Sequence, residues 1–269
     1  MGFQSVVLIT GASSGIGKAT AEYLSNKGYL VVGTSRNPNR CKDFAFPIIE
    51  MELTDSDSIR KAVANVVSGF GRLDILVNNA GVGISGPLEE LPIEAIKNLF
   101  ETNLYGPIEV IKYVLPHMRK QGSGRIVNIT SIAGYSGLPF RSMYSASKSA
   151  LDRATESLRL ELKGSGIQCC TLAPGDVATN IAAGRYHAPL LDDSPYHKTY
   201  GMSLNEMDAH VDHGVSAEIV AQKIYKILCK KNVQPHYTVG QELQRISVHL
   251  KAFLPQRWYE FILAKFYKL

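Results

Sequence analysis

The sequence predicts an α/β protein, a doubly wound parallel sheet of about seven strands with helices on both faces. Three observations predict it. Short apolar runs alternate with longer stretches of helical periodicity from the first residues onward. Those runs are continuously apolar rather than alternating, which suits strands covered on both faces. A glycine-rich turn follows the first run and leads straight into the first helical stretch. With 269 residues, 45% of them hydrophobic and 20% charged, the chain suits one large domain with a sizeable core.

Taken in order, the strand-like runs are Val6–Thr10, Leu30–Thr34, Ile48–Leu53, Ile75–Asn78, Arg125–Thr130, Gln168–Ala173 and His236–Val239. Helical periodicity fills 16–27, 56–69, 93–115, 143–163 and 216–230, giving repeated βα units with right-handed crossovers. Between Ser35 and Pro47 the link is short and holds Pro38, so any helix there is abbreviated. Residues 178–214 follow the sixth run with weak periodicity and many Gly, Pro, Asp and His residues, the character of a functional lid. Residues 241–269 read as a helical run, a break at Pro255 and an aromatic-rich end.

The net charge of +5 is unevenly placed. Residues 221–269 hold nine Lys and Arg against Glu242 and Glu260, so this tail carries +7 and the remainder −2. No nucleic-acid-binding motif accompanies that charge, and no nucleic-acid partner is expected. The four cysteines, Cys41, Cys169, Cys170 and Cys229, form no C-x-x-C and read as buried, reduced thiols of a cytoplasmic protein. The N-terminus runs into an apolar strand without a basic leader, so no secretory signal is expected. No apolar run approaches the roughly 20 residues that span a bilayer.

Two motifs carry chemistry. In Thr10-Gly11-Ala12-Ser13-Ser14-Gly15-Ile16-Gly17 the glycines let backbone approach a pyrophosphate, whose charge the free N–H groups of the helix start stabilise. Tyr144 and Lys148, four apart, place a phenol and an ammonium on one helical face. Free phenols ionise near pH ~10. An ammonium about 4 Å away, at an effective dielectric near 20, favours the phenolate by ~4 kcal/mol and makes neutral-pH acid/base chemistry efficient. Spacing alone does not decide the matter, because Tyr23 and Lys27 share it in the first helix and read as surface residues. What distinguishes Tyr144 is company: Ser131 closes the fifth strand, where ligands bind in open α/β sheets, and Asn103 sits in the preceding helix.

Together with Asn78-Asn79-Ala80-Gly81 and Pro174-Gly175, these motifs resemble the short-chain dehydrogenases/reductases over residues 5–240, and the fold is then of Rossmann type. The resemblance implies an oxidoreductase that interconverts a carbonyl and a secondary alcohol. It implies Tyr144 as acid/base, Ser131 on the reacting oxygen, Lys148 on the nicotinamide ribose and Asn103 in a water-linked proton relay. The dinucleotide would be held by Gly11, Ser13, Ser14, Gly15, Ile16 and Gly17, then Asn79, Ala80 and Gly81. Pro174, Gly175, Val177 and Thr179 would contact its nicotinamide end. Residues 1–240 would form the catalytic domain, with 241–269 a helical extension. Hydride passes directly between nicotinamide and substrate, so no metal is expected. A dimer or tetramer is expected.

NAD-specific enzymes usually place a carboxylate at the end of the second strand. This chain has Ser35 and then Arg36, suited to a 2′-phosphate, so NADP(H) is favoured over NAD(H). Glu52, followed by Leu53, stands where relatives have an Asp near adenine. The lid histidines His187, His197, His210 and His213 have no partners completing a metal set.

Tyr135, Leu138, Phe140 and Met143 are expected to wall an apolar substrate site, with Ser131 and Tyr144 at its reacting end. Gly86-Pro87-Leu88, Gly122-Ser123-Gly124-Arg125 and Gly137-Leu138-Pro139-Phe140 are loosely similar to the hydroxysteroid and retinol dehydrogenase branch, which implies a bulky apolar carbonyl or alcohol. A 3-keto lipid of the ketosphinganine type is the alternative substrate, and a non-catalytic dinucleotide sensor the alternative function. On a helix from Pro255, Trp258, Phe261, Ile262, Phe266 and Leu269 share a face opposite Arg257, Glu260 and Lys268. Such a helix suits peripheral contact with an anionic membrane, docking on the protein's own body, or a second subunit.

Overall fold

The computed structural model describes residues 4–41, 43–178, 184–212, 214–267 and 269, with the backbone alone for 208–212. The chain runs β1 (Val6–Ile9), α1 (Gly15–Asn26), β2 (Leu30–Ser35), β3 (Ile48–Glu50), α2 (Ser56–Phe70), β4 (Ile75–Asn78) and β5 (Ile84–Ser85). Next come α3 (Ile93–Phe100), a π-helical turn (Glu101–Tyr105), α4 (Gly106–Gln121), β6 (Gly124–Ile129), α5 (Ser142–Glu161), β7 (Ile167–Pro174) and β8 (Val177–Ala178). β9 (Tyr186–His187), α6 (His197–Asp212), β10 (Val215–Ser216), α7 (Ala217–Leu228), β11 (His236–Val239), α8 (Glu242–Phe253) and α9 (Gln256–Phe266) complete it.

Seven strands form one sheet in the order β11-β7-β6-β4-β1-β2-β3, every neighbouring pair parallel. Both faces are covered, and β1 shows how. Val7 and Ile9 join the cluster holding Leu24 of α1 and Val220, Ile224 and Ile227 of α7. Val6 and Leu8 point the other way, into the cluster of α2 and α4. The direction of winding reverses between β1 and β4, and the carboxyl ends of the strands there open the crevice in which such sheets bind ligands.

Local chemistry fixes the helix ends. Asp55 caps α2, its Oδ1 accepting the Asp57 and Ser58 N–H groups at 2.9 and 3.2 Å, and Gly71 closes that helix at φ 71°. A buried polar chain pins α5 to the sheet: Asn78 Nδ2 donates to Asn128 Oδ1 at 2.9 Å, and Asn128 Nδ2 to Thr155 Oγ1 at 2.8 Å.

Four expectations need correcting. The third strand ends at Glu50, because Met51, Glu52 and Leu53 turn into a cavity. Polar residues hid α6 within 178–214, where β9 pairs with β5 and Tyr200 donates its hydroxyl to Ser85 O at 3.0 Å. Cys229 is exposed, whereas burial pushes the Cys169 and Cys170 thiols up to about 11 and about 12. Tyr23 is half-buried and packs edge-on against Tyr225, with Lys27 over its ring. Among the described residues, no helix is long and apolar enough to cross a membrane.

Candidate active site

At the carboxyl edge of the sheet lies a cavity of about 850 Å³, running from the glycine-rich turn past Tyr144 to the inner sides of α8 and α9. Its first end is shaped by backbone. Gly11 and Gly15 adopt φ of 65° and 53°, a region costly for residues with a Cβ, and so turn the chain tightly into α1. Gly11, Ser13, Ser14, Gly15 and Ile16 line the cavity, and the start of α1 offers it N–H groups and the positive end of a helix dipole. Gly17 does not line it. A Cβ there would lie 2.3 Å from Gly11 O, so Gly17 serves the close approach of α1 to the turn.

Asn79 braces the same turn. Its Nδ2 donates to Thr10 O and Gly11 O at 2.9 and 3.2 Å, while Thr10 Oγ1 accepts the Asn79 and Ala80 N–H groups. Asn79, Ala80 and Gly81 all line the cavity. At its far corner stand Ser35, Arg36 and, unforeseen from the sequence, Arg40 on a short 3-10 turn. Both arginines are exposed, and no ion pair engages either of them among the described residues. Glu52 and Leu53 line the same end, with Glu52 Oε1 accepting the Thr54 N–H at 3.3 Å.

The reacting groups converge midway. Tyr144, Lys148, Leu151, Asp152 and Thr155 form the buried stripe of α5. Lys148 Nζ donates to Ile129 O at 3.2 Å and sits 6.0 Å from the Tyr144 ring centroid. Burial lowers the Lys148 pKa, and neighbouring Tyr144 raises it. Ser131 caps the 3-10 turn 132–135: its Oγ accepts the Ala133 N–H at 3.2 Å, which leaves the hydroxyl proton free to donate. Ser131, Tyr144 and Lys148 all face the cavity.

Asn103 holds backbone with its side chain. It lies in the π-helical turn, fully buried and behind the cavity wall. Its Oδ1 accepts the Val82 N–H at 2.9 Å, while Nδ2 donates to Val82 O at 2.9 Å and Ser147 Oγ at 3.2 Å. The side chain therefore holds the Gly81–Val82 backbone against α5. Gly81 leaves room for this, since a Cβ there would meet Asn103 Oδ1 at 3.1 Å and Lys148 Nζ at 3.2 Å.

Pro174, Gly175 and Val177 line the wall opposite Tyr144, and Thr179 lies outside the described residues. Asp176 between them also faces the cavity, its Oδ2 accepting from Gln244 Nε2 at 2.5 Å and its own N–H donating to Gln244 Oε1 at 3.1 Å. That pair ties α8 to the end of β7.

Neither Tyr135 nor Phe140 lines the cavity, contrary to the sequence reading. The 3-10 turn after Ser131 swings Tyr135 toward β11, where it packs edge-on against His236, and burial pushes its pKa up to about 12. Phe140 adopts φ 56° and backs Tyr144 from beneath α6, its ring 5.3 Å from Tyr200 and 6.2 Å from Tyr196. Leu138 does line the cavity; Met143 joins the cluster around Phe140. The cavity beyond Tyr144 is completed by residues far along the chain, among them Arg185, Met207, Leu250, Tyr259 and Leu263. The Tyr259 hydroxyl donates to Ser136 Oγ at 3.1 Å.

Among the histidines of 178–214, His187 Nδ1 pairs with Ser85 Oγ at 3.0 Å and His197 Nδ1 with Leu191 O at 2.9 Å. The side chain of His210 and the whole of His213 lie outside the described residues. Asp152, Glu156 and His236 gather farther along α5, where it meets β7 and β11, and Arg153 already pairs with both carboxylates.

A family model described as short chain dehydrogenase matches residues 5–189. The chain is 37% identical, over 98% of its own length and 98% of the relative's, to a 3-ketodihydrosphingosine reductase of Bacteroides thetaiotaomicron. Among solved structures, a short-chain dehydrogenase from Streptomyces avermitilis superposes with a TM-score of 0.81 at 29% identity, covering 94% of this chain and 97% of that one. A second, ElxO with NADP bound, gives a TM-score of 0.71 at 29% identity, covering 88% and 97%.

Proposed function

The chain belongs to the short-chain dehydrogenase family, and from that premise we propose that it is an NADP(H)-dependent oxidoreductase interconverting the keto and hydroxy forms of a long-chain apolar substrate. One observation carries the substrate class: beyond Tyr144 the cavity continues into an apolar end lined by Leu138, Met207, Leu250, Ile262 and Leu263. The similarity to a reductase named for a long-chain keto lipid supports the same class. In this reading residues 1–240 are the catalytic body, and 241–269 extend the same domain to close the substrate end. The protein works as a dimer or tetramer.

The residues present fit a dinucleotide. The N–H groups of the turn at Gly11–Ile16 suit the pyrophosphate, and Arg36 with Arg40, beside Ser35 rather than a carboxylate, suits a 2′-phosphate. Bound there, a nicotinamide would supply hydride for the carbonyl carbon. The chain does the rest. Ser131 Oγ donates to the carbonyl oxygen and fixes its position. Tyr144 Oη delivers the proton that turns that oxygen into a hydroxyl. Lys148 Nζ, 6.0 Å from the ring centroid, stands beside the phenol as it gives up its proton. A sensor of dinucleotides would need none of these three groups facing one cavity.

Assays of NADPH loss on a series of 3-keto lipids of increasing chain length test the substrate class. Each buried methylene contributes ~0.8 kcal/mol, so kcat/KM should climb roughly tenfold per added pair of methylenes until the apolar end is filled. A flat dependence on chain length, or preference for a compact steroid ketone, would overturn this class.

A further inference from the structure

The tail helices are apolar on more than the side that meets the protein. No residue of α8 is buried, and Tyr259 is the buried residue of α9. Leu243, Phe253, Trp258 and Phe261 are 81%, 84%, 66% and 66% exposed. Isolated apolar side chains on a surface need no explanation, but a concentration of this kind on two adjacent helices does. Leu243, Leu250, Ile262 and Phe266 have a double position: each lines the cavity and is also exposed at its rim. The mouth of the substrate end is thus itself apolar surface.

Charge selects the occupant of that surface. Arg245, Lys251, Arg257 and Lys265 outnumber Glu242 and Glu260 on these helices, within a tail that carries +7. A second copy docked face to face through a two-fold axis would set like charges against each other. An anionic bilayer offers the complement to both features, acyl chains for the aromatics and headgroup charge for the basic residues. We propose that α8 and α9 seat the enzyme on an anionic lipid bilayer with the cavity mouth facing the membrane, so that a long-chain substrate enters from lipid without crossing water. This rests on the long-chain reading of the substrate end.

Trp258 is the single tryptophan of the chain, and its emission reports insertion directly. The full-length protein is mixed with vesicles of phosphatidylcholine, with and without phosphatidylglycerol, at low and high salt. A Phe253→Glu/Phe261→Glu variant, which retains Trp258 and changes no cavity-lining residue, is compared alongside. Expected are co-sedimentation with the anionic vesicles at low salt, a blue shift of Trp258 emission, and weakening of both by salt. The variant should bind at least about tenfold more weakly. It should keep kcat/KM on a short soluble ketone within about twofold, which also shows that it is folded, and lose activity on a vesicle-dissolved ketone. Absence of wild-type co-sedimentation at low salt overturns the proposal. So does a variant that binds vesicles as tightly as wild type, or a wild-type oligomer that the two substitutions dissociate, which would make a second copy the occupant. Activity on the long-chain ketone in detergent separates the two readings. Its loss there defeats the substrate class, whereas activity in detergent with no vesicle binding defeats the docking alone.

Discussion

Tyr144→Phe is expected to lower kcat by roughly 10²- to 10⁴-fold, the range general acid catalysis contributes, while NADPH affinity and thermal stability stay near wild type. The substitution removes one hydroxyl and preserves the ring. That ring is buried, stacks beneath the Arg141 guanidinium at 5.2 Å and packs in the cluster with Leu99 and Tyr200, so its apolar contacts survive. Only the transferable proton is lost. Ser131 still positions the carbonyl oxygen, which leaves a residual rate rather than none. Single-turnover rates and NADPH titrations on the same preparations separate the effects, and turnover within tenfold of wild type would remove Tyr144 from the acid/base role.

Arg36→Asp should reverse the cofactor preference. Replacing a cation by a carboxylate at the 2′-phosphate costs NADPH at least ~3 kcal/mol, about 100-fold in Kd, whereas NADH gains a partner for its 2′-hydroxyl. Arg40 lines the same corner and should retain part of the NADPH affinity, so Arg36→Asp/Arg40→Ala should exceed the single change. Unchanged NADPH affinity in both variants would show that neither arginine reads the phosphate.

How much of this was legible in the sequence follows from how local each feature is. The inner sheet strands were legible because they are apolar runs buried on both faces, while the edge strands β3 and β11 are only partly covered; Tyr144 with Lys148 was legible because one helix fixes their spacing. Tyr135 and Phe140 were misplaced because backbone geometry, a 3-10 turn at one and φ 56° at the other, decides where their side chains go. Asn103 was found by motif, but its bracing of Val82 depends on a π-helical turn with no local signature. The substrate end was least legible. Leu250, Tyr259 and Leu263 reach it through contacts distant in sequence, Gln244 with Asp176 and Tyr259 with Ser136, and α9 is apolar on two sides where periodicity suggested one. Nothing in a single sequence marks such contacts in advance.

In the proposed reaction hydride passes directly onto a carbonyl carbon, and the proton arrives through Tyr144. NADPH deuterated at either face of nicotinamide C4 tests it, with the product alcohol of a long-chain 3-ketone examined by mass spectrometry. One of the two labelled cofactors should deliver its deuterium to the carbinol carbon and the other none, and the Tyr144→Phe enzyme should make too little product to measure on the same timescale. Deuterium missing from that carbon with both cofactors, in a reaction that nevertheless consumes the ketone, would contradict it.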